Sequence, residues 1–192
     1  MRAKTPQSKQ AGPARLRIVA GSARGRWIKT LPTEEVRPTS NLVREATFNV
    51  LASMGVLQDA NVLDLFAGSG ALGIEALSRG AQQAVFVESN PRAARLIQQN
   101  LEHLGFNKTG RVVSGDAMSY VRNMAPVDVT FCDPPYDFDR WDELLTQLPS
   151  SLIIIEANHE IDVKNFGELV RHKRYGGTFV SIISTMPSSQ TE

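Results

Sequence analysis

The sequence predicts an α/β fold: a mostly parallel sheet with helices on both faces, finished by an antiparallel hairpin and preceded by a small N-terminal β-hairpin extension. Three patterns carry that expectation. From Asn61 onward, short apolar runs alternate with stretches of helical spacing, and such a βαβαβ rhythm requires parallel strands joined by crossover helices. Near the end the rhythm breaks. The strand-like runs 169–175 and 178–184 are separated only by Gly176 and Gly177, too little chain for a crossover and enough for a tight turn. At the start, Leu16, Ile18 and Ala20 alternate with Arg17 and Val19 before a turn over 21–25 and a second short run, Arg26 to Lys29.

In chain order, Pro32 and Pro38 punctuate a connecting loop. Thr39 or Ser40 caps a helix whose apolar residues, Leu42, Val43, Ala46, Phe48, Val50 and Leu51, recur at helical spacing until Gly55. Strands are expected at 62–66, 84–87, 112–113, 127–132 and 152–155, with helices at 71–78, 92–104, 117–124 and 141–148 between them. A chain of 192 residues is one domain, here 15–185, with 15–36 as the basic hairpin extension. Residues 1–14, polar and basic with Gly12 and Pro13, are expected to be a disordered tail, and 186–192 a second one.

Hydrophobic residues make up 42% and charged residues 21%, which excludes a disordered, fibrous or membrane protein. One cysteine and three scattered histidines, His103, His159 and His172, offer neither a disulfide nor metal-ligand spacing, so a reduced, metal-free, cytoplasmic protein is expected. Cys132 reads as a small buried strand residue, and Trp27 as either an RNA-stacking or a packing residue. The net charge of +1 hides an asymmetry. Residues 1–30 hold eight bases and no acid, leaving the other 162 residues at −7. A basic arm on an acidic body suggests a polyanionic partner, most simply nucleic acid, without membrane association.

Two motifs carry chemistry. Asp64 to Gly73 places G-x-G-x-x-G between a predicted strand and a predicted helix, so the backbone of Phe66, Ala67, Gly68, Ser69 and Gly70 can approach a ligand at the carboxyl edge of the sheet. Glu88 ends the next strand, twenty residues after Gly68, where a carboxylate accepts ribose hydroxyls, with Ser89 beside it. Asp64, with no Lys or Arg from 64 to 78, is poorly placed for a pyrophosphate and suits the sulfonium and ammonium of S-adenosylmethionine. Asp116, with the Ala117 backbone, is the candidate contact for adenine.

The second motif, Asp133-Pro134-Pro135-Tyr136, follows strand 127–132 at the same sheet edge. Two prolines keep the chain extended and leave carbonyls without internal partners. Asp133 and those carbonyls form acceptors for an exocyclic amino group, and Tyr136 supplies a ring face for a planar base that is unpaired or flipped.

Together these motifs look like the class I, Rossmann-like S-adenosylmethionine-dependent amino-methyltransferases. Arg17 to Gly21, Arg37-Pro38-Thr39, Val43 to Phe48, Leu63 to Gly80 and Arg174-Tyr175-Gly176 further resemble the RsmD family of bacterial 16S ribosomal RNA guanine-N2 methyltransferases, over about residues 16–185. Ala20 departs from the pattern, where a glycine is expected. The resemblance implies a seven-stranded sheet with the terminal hairpin, and transfer of one methyl group to the N2 amino group of a guanine in the small ribosomal subunit. It also favours Arg37 and Arg44 as contacts for RNA or for the methionine carboxylate. Arg17, Arg24, Arg26 and Lys29 are expected to grip phosphates, and a monomer is expected because a lone domain can reach a ribosomal particle unaided. A DNA adenine-N6 methyltransferase shares the second motif but commonly carries a recognition insert for which this chain has no room. A nicotinamide dehydrogenase leaves the Pro-Pro segment unexplained, and a non-enzymatic RNA-binding module explains neither motif.

Overall fold

A computed structural model describes residues 15–31 and 38–185, except for the side chains of 38–40. The tail expectations and Arg37 lie outside the described residues. Strands β1 (Arg15–Arg17) and β2 (Trp27–Lys29) form the antiparallel N-terminal hairpin. Helix α1 (Pro38–Met54) follows. The main domain then runs β3 (Asn61–Asp64), α2 (Ala71–Ser78), β4 (Gln83–Glu88), α3 (Pro91–Leu104), β5 (Gly110–Ser114), α4 (Ala117–Val121), β6 (Val127–Cys132), α5 (Trp141–Gln147), β7 (Ser150–Ala157), β8 (Glu168–Tyr175) and β9 (Thr178–Ser184).

The seven-stranded sheet has the order β5-β4-β3-β6-β7-β9-β8. Strands β3 to β7 are mutually parallel, and β9 runs antiparallel to both β7 and β8. The expected α/β architecture with its terminal hairpin is therefore observed. The chain winds outward from β3 to β4 and β5, then returns past β3 to β6 and β7. This reversal makes the carboxyl ends of β3 and β6 the crevice where ligands of such sheets bind. Apolar side chains of α1, α2 and α3 (Phe48, Leu51, Ile74, Ile97, Leu101) pack on one face of the sheet, while α4 and α5 (Met118, Val121, Trp141, Leu144) cover the other.

Local chemistry sets the element ends. Asn90 caps α3 by accepting the Arg92 N–H at 2.9 Å, Pro91 occupies the first turn, and Gly105 ends the helix at φ 82°, a conformation that disfavours a Cβ. Helix α4 stops at Val121, short of the expected Met124. Pro126 biases the residue before it away from helical geometry, and the Asn123 N–H instead closes a turn on the Tyr120 carbonyl.

The hairpin is docked by a buried carboxylate. Glu75, 1% exposed on α2, accepts the Val19 N–H at 2.9 Å, the Ala20 N–H at 3.0 Å and Arg79 Nε at 2.8 Å. Arg44 is likewise buried, and its Nη2 donates to the Arg17 carbonyl at 2.8 Å, tying α1 to β1. Burial pulls the Arg44 pKa down, while the neighbouring Glu75 opposes that shift. Arg44 is thus a structural cation, and the expectation that it meets RNA or a methionine carboxylate is corrected: its guanidinium is covered by the fold. At Gly21, φ is 82° and an added Cβ would lie 1.7 Å from the Ser78 carbonyl oxygen, so close approach of the hairpin to α2 requires glycine. Removing one partner of a buried, hydrogen-bonded charge cluster costs about 3–5 kcal/mol. Glu75→Ala is expected to lower unfolding stability by that amount, as measured by urea denaturation.

Candidate active site

One cleft, of about 1320 Å³, opens along the carboxyl edge of the sheet and is lined by residues of both sequence motifs. It exceeds the roughly 300–1,000 Å³ typical of a single small-ligand pocket, leaving room for a cofactor and a base together.

The glycine loop forms one end. Gly68 at φ 52° turns its N–H onto Glu88 Oε2 at 2.7 Å, while Glu88 Oε1 accepts the Asn90 N–H at 2.7 Å. Gly73 is needed for packing, since a Cβ there would sit 2.3 Å from the Phe86 ring on β4. Of the loop residues expected to cradle the cofactor, Phe66 and Gly68 line the cleft, whereas Ala67, Ser69 and Gly70 lie behind it. Glu88, Ser89, Asp116 and Ala117 also line it. Asp116 caps α4: its Oδ1 accepts the Ser119 N–H at 2.8 Å and the Ser119 hydroxyl at 2.9 Å, which holds its carboxyl below the usual range.

Asp64 is 2% exposed and does not reach the cleft; its Oδ2 accepts the Gly73 N–H at 2.8 Å, closing the loop from strand to helix. Burial raises its pKa to about 8 despite that hydrogen bond, and Asp133 and Glu88 push the same way. Asp64 acts by fixing the loop.

The second motif lines the middle of the cleft, with Asp133, Pro134, Pro135 and Tyr136 all contributing. The Phe138 N–H closes a turn on the Pro135 carbonyl at 3.0 Å, and the Phe138 ring meets Phe66 and Trp141 edge-on at 5.3 and 5.2 Å. Tyr136 is exposed at the rim. Asp133 is exposed at the mouth of the cleft, and desolvation by the surrounding protein lifts its pKa above the ordinary carboxylate range. Burial pushes the Cys132 thiol up as well, as suits an inert strand residue.

Glu156, near the end of β7, also lines the cleft, its pKa raised by burial and by nearby Asp133. Phe138, Arg140, Asn158, Gly177 and Thr178 also line it and were not singled out. The turn between β8 and β9 was legible, but only the sheet order shows that it reaches this edge.

Among the basic candidates, Arg24 and Lys29 are exposed. Arg17, also exposed, lies 6.0 Å from the centroid of Trp27, itself 50% exposed. Arg26 is committed elsewhere: its guanidinium donates to the His103 carbonyl and, at 3.0 Å, to the Leu104 carbonyl, capping the end of α3. Asn100 binds both backbone groups of Lys29, at 3.0 and 2.9 Å, and reaches the Ser69 carbonyl at 3.4 Å, bracing the hairpin against the glycine loop.

A family model described as Conserved hypothetical protein 95 matches residues 16–184. The chain belongs to this RsmD-like family. Relatives named Ribosomal RNA small subunit methyltransferase D include one from Haemophilus influenzae, 34% identical over 81% of this chain and 83% of the relative. Another, from Escherichia coli, is 41% identical over 66% of this chain and 63% of the relative. The solved structure of Escherichia coli yhhF superposes with a TM-score of 0.79 at 35% identity, covering 89% of this chain and 98% of that one. These relatives and that structure carry methyltransferase names. Among the described residues no helix is long and apolar enough to cross a membrane, and no group of three or more His, Cys, Asp or Glu could hold a metal ion.

The raised Asp64 pKa makes a signed prediction. The folded state binds this proton more tightly than the unfolded state, so Asp64 stabilises the fold fully below about pH 3.8, and that contribution is lost as pH rises toward 8. Asp64→Asn keeps an oxygen for the Gly73 N–H without the titration. Between pH 5 and 8 the wild type is expected to lose at least about 1.4 kcal/mol of stability relative to this variant, one pKa unit's worth, in denaturation curves taken across that range.

Proposed function

We propose that this protein transfers a methyl group from S-adenosylmethionine to the N2 amino group of one guanine in 16S ribosomal RNA, within the small ribosomal subunit. The observation that carries the reading is that the Asp133 to Tyr136 acceptors and the glycine loop face a single cleft in a chain of this family. The residues present fit the cofactor: Glu88 would take the ribose, Asp116 and Ala117 the adenine, and the Phe66 to Gly68 backbone the methionine end. Bound there, the cofactor supplies an electrophilic methyl group.

This chain's own residues prepare the nucleophile. A guanine N2 lone pair is delocalised into the ring, so nitrogen must rehybridise toward tetrahedral before it attacks. Asp133 and the Pro134 carbonyl accept its two hydrogens, favouring that geometry and stabilising the positive charge that develops on nitrogen. The described hydrogen bonds leave both groups available, in contrast to the Pro135 carbonyl, which Phe138 occupies. Tyr136 offers its ring to the base, and holding the two reactants in line removes much of the entropic barrier. Asp133 takes the proton once the methylated nitrogen is cationic and acidic.

Incubation with labelled S-adenosylmethionine and small subunits lacking the modification is expected to yield N2-methylguanosine on nucleoside analysis. N6-methyladenosine would contradict the reading. Asp133→Asn is expected to reduce kcat by about 10²–10³ while leaving S-adenosylhomocysteine affinity within a few-fold, because the lost charge matters chiefly in the transition state. Near-normal turnover would refute the role of that charge.

RNA is gripped by Arg17, Arg24 and Lys29 on the hairpin, with Trp27 beside them. In the double variant Arg24→Ala, Lys29→Ala, RNA affinity should fall and the slope of log affinity against log salt should flatten by about 1.5, the share of two phosphate contacts. Unchanged filter binding across a salt series would refute the hairpin contact.

A further inference from the structure

Five carboxyl groups stand at or just behind the carboxyl edge of the sheet, and their hydrogen bonds divide them. Glu88, Asp64 and Asp116 are each engaged by donors of the protein: Gly68 and Asn90, Gly73, and Ser119. For Asp133 and Glu156 the described residues supply no donor. Both line the cleft. In the parallel ladder of β6 and β7, Cys132 pairs with Ile155, which sets Asp133 and Glu156 side by side one residue beyond, on strands about 4.8 Å apart. Their proximity is also seen in the charge of Asp133 raising the pKa of Glu156. Counting along the sheet, Glu88 is on β4, the glycine loop leaves β3, Asp133 follows β6 and Glu156 is on β7, so Glu156 lies beyond Asp133 from the cofactor end.

We propose that Glu156 reads the target base, accepting the N1–H of guanine beside Asp133, and thereby separates guanine from adenine. This rests on the guanine-N2 reading above and assigns it a specificity residue. Guanine presents adjacent donors on one edge, the N2 amino group and N1–H. Two neighbouring acceptors match that pair. Adenine presents a lone pair at N1, which the carboxylate form of Glu156, the form present above about pH 8, repels and cannot hydrogen-bond, and polar sites of this kind reject a ligand lacking the matching donor far more strongly than apolar pockets reject a size change.

The test, run above about pH 8 where Glu156 is ionised, uses the full chain and small subunits assembled with 16S RNA carrying either guanine or 2,6-diaminopurine at the position the wild type methylates. The analogue keeps the 2-amino group but has a lone pair at N1. The wild type is expected to prefer guanine at least 100-fold in kcat/KM. Glu156→Gln, whose amide can donate to that lone pair, is expected to narrow the preference at least tenfold, with S-adenosylhomocysteine affinity within threefold of wild type. Glu156→Asp, which keeps the carboxylate, should be slower on both substrates with the preference retained. Equal wild-type turnover of the two bases, or an unchanged preference in a Glu156→Gln protein that still binds S-adenosylhomocysteine, would overturn the assignment. Absence of N2-methylguanosine from guanine subunits with wild type would instead overturn the reading on which it rests, and the assignment with it.

Discussion

The parallel register of β4, β3, β6 and β7 is the constraint on which the rest of the molecule depends. Asp64 pairs with Phe86 on β4 and with Phe131 on β6, so Glu88 and Asp133 each stand two residues further out, at a common height. Glu156 joins them through the pairing of Cys132 with Ile155. A one-residue slip in any of these ladders would turn a carboxylate to the opposite face of the sheet and divide the site. The register is secured by burial on both faces, with Leu63, Phe86, Phe131 and Ile154 among the side chains that would be displaced by such a slip.

The site brings together carboxyl groups that differ in what satisfies them. Those toward β4 are anchored by backbone N–H groups and serve partly as architecture: Asp64 closes the glycine loop, and Asp116 starts α4. Those over β6 and β7 have acceptor capacity facing the cleft, and their raised pKa values reflect enclosure that hydrogen bonds do not offset. The basic hairpin lies outside this acidic crevice, so the cationic and the acidic surfaces are separate parts of one small chain.

Features read correctly from the sequence were those whose causes are local. The glycine loop, the Asp133 to Tyr136 segment, the caps of α3 and the two-residue turn of the last hairpin each specify their geometry within about ten residues. Features with distant causes were not legible. Arg44 gives no sign of burial until its partner, the carbonyl of Arg17, appears 27 residues earlier. Arg26, exposed on the basic hairpin, also reaches the end of α3, 77 and 78 residues away. Asp64 ends a strand, and only packing shows that it closes the loop as a buried acid. Nothing near Glu156 in the sequence indicates that β7 lies beside β6.

The central claim is that one cleft is divided into a cofactor half at β3, β4 and α4 and a base half at β6, β7 and the β8–β9 turn. Hydrogen exchange followed by mass spectrometry tests it most directly. S-adenosylhomocysteine alone should slow exchange at 66–70, 88–90 and 115–119 and leave 136–138 and 156–158 nearly unchanged, with those two segments becoming protected only when small subunits are added. Equal protection of both halves by S-adenosylhomocysteine, or protection of the second half alone, would contradict the division.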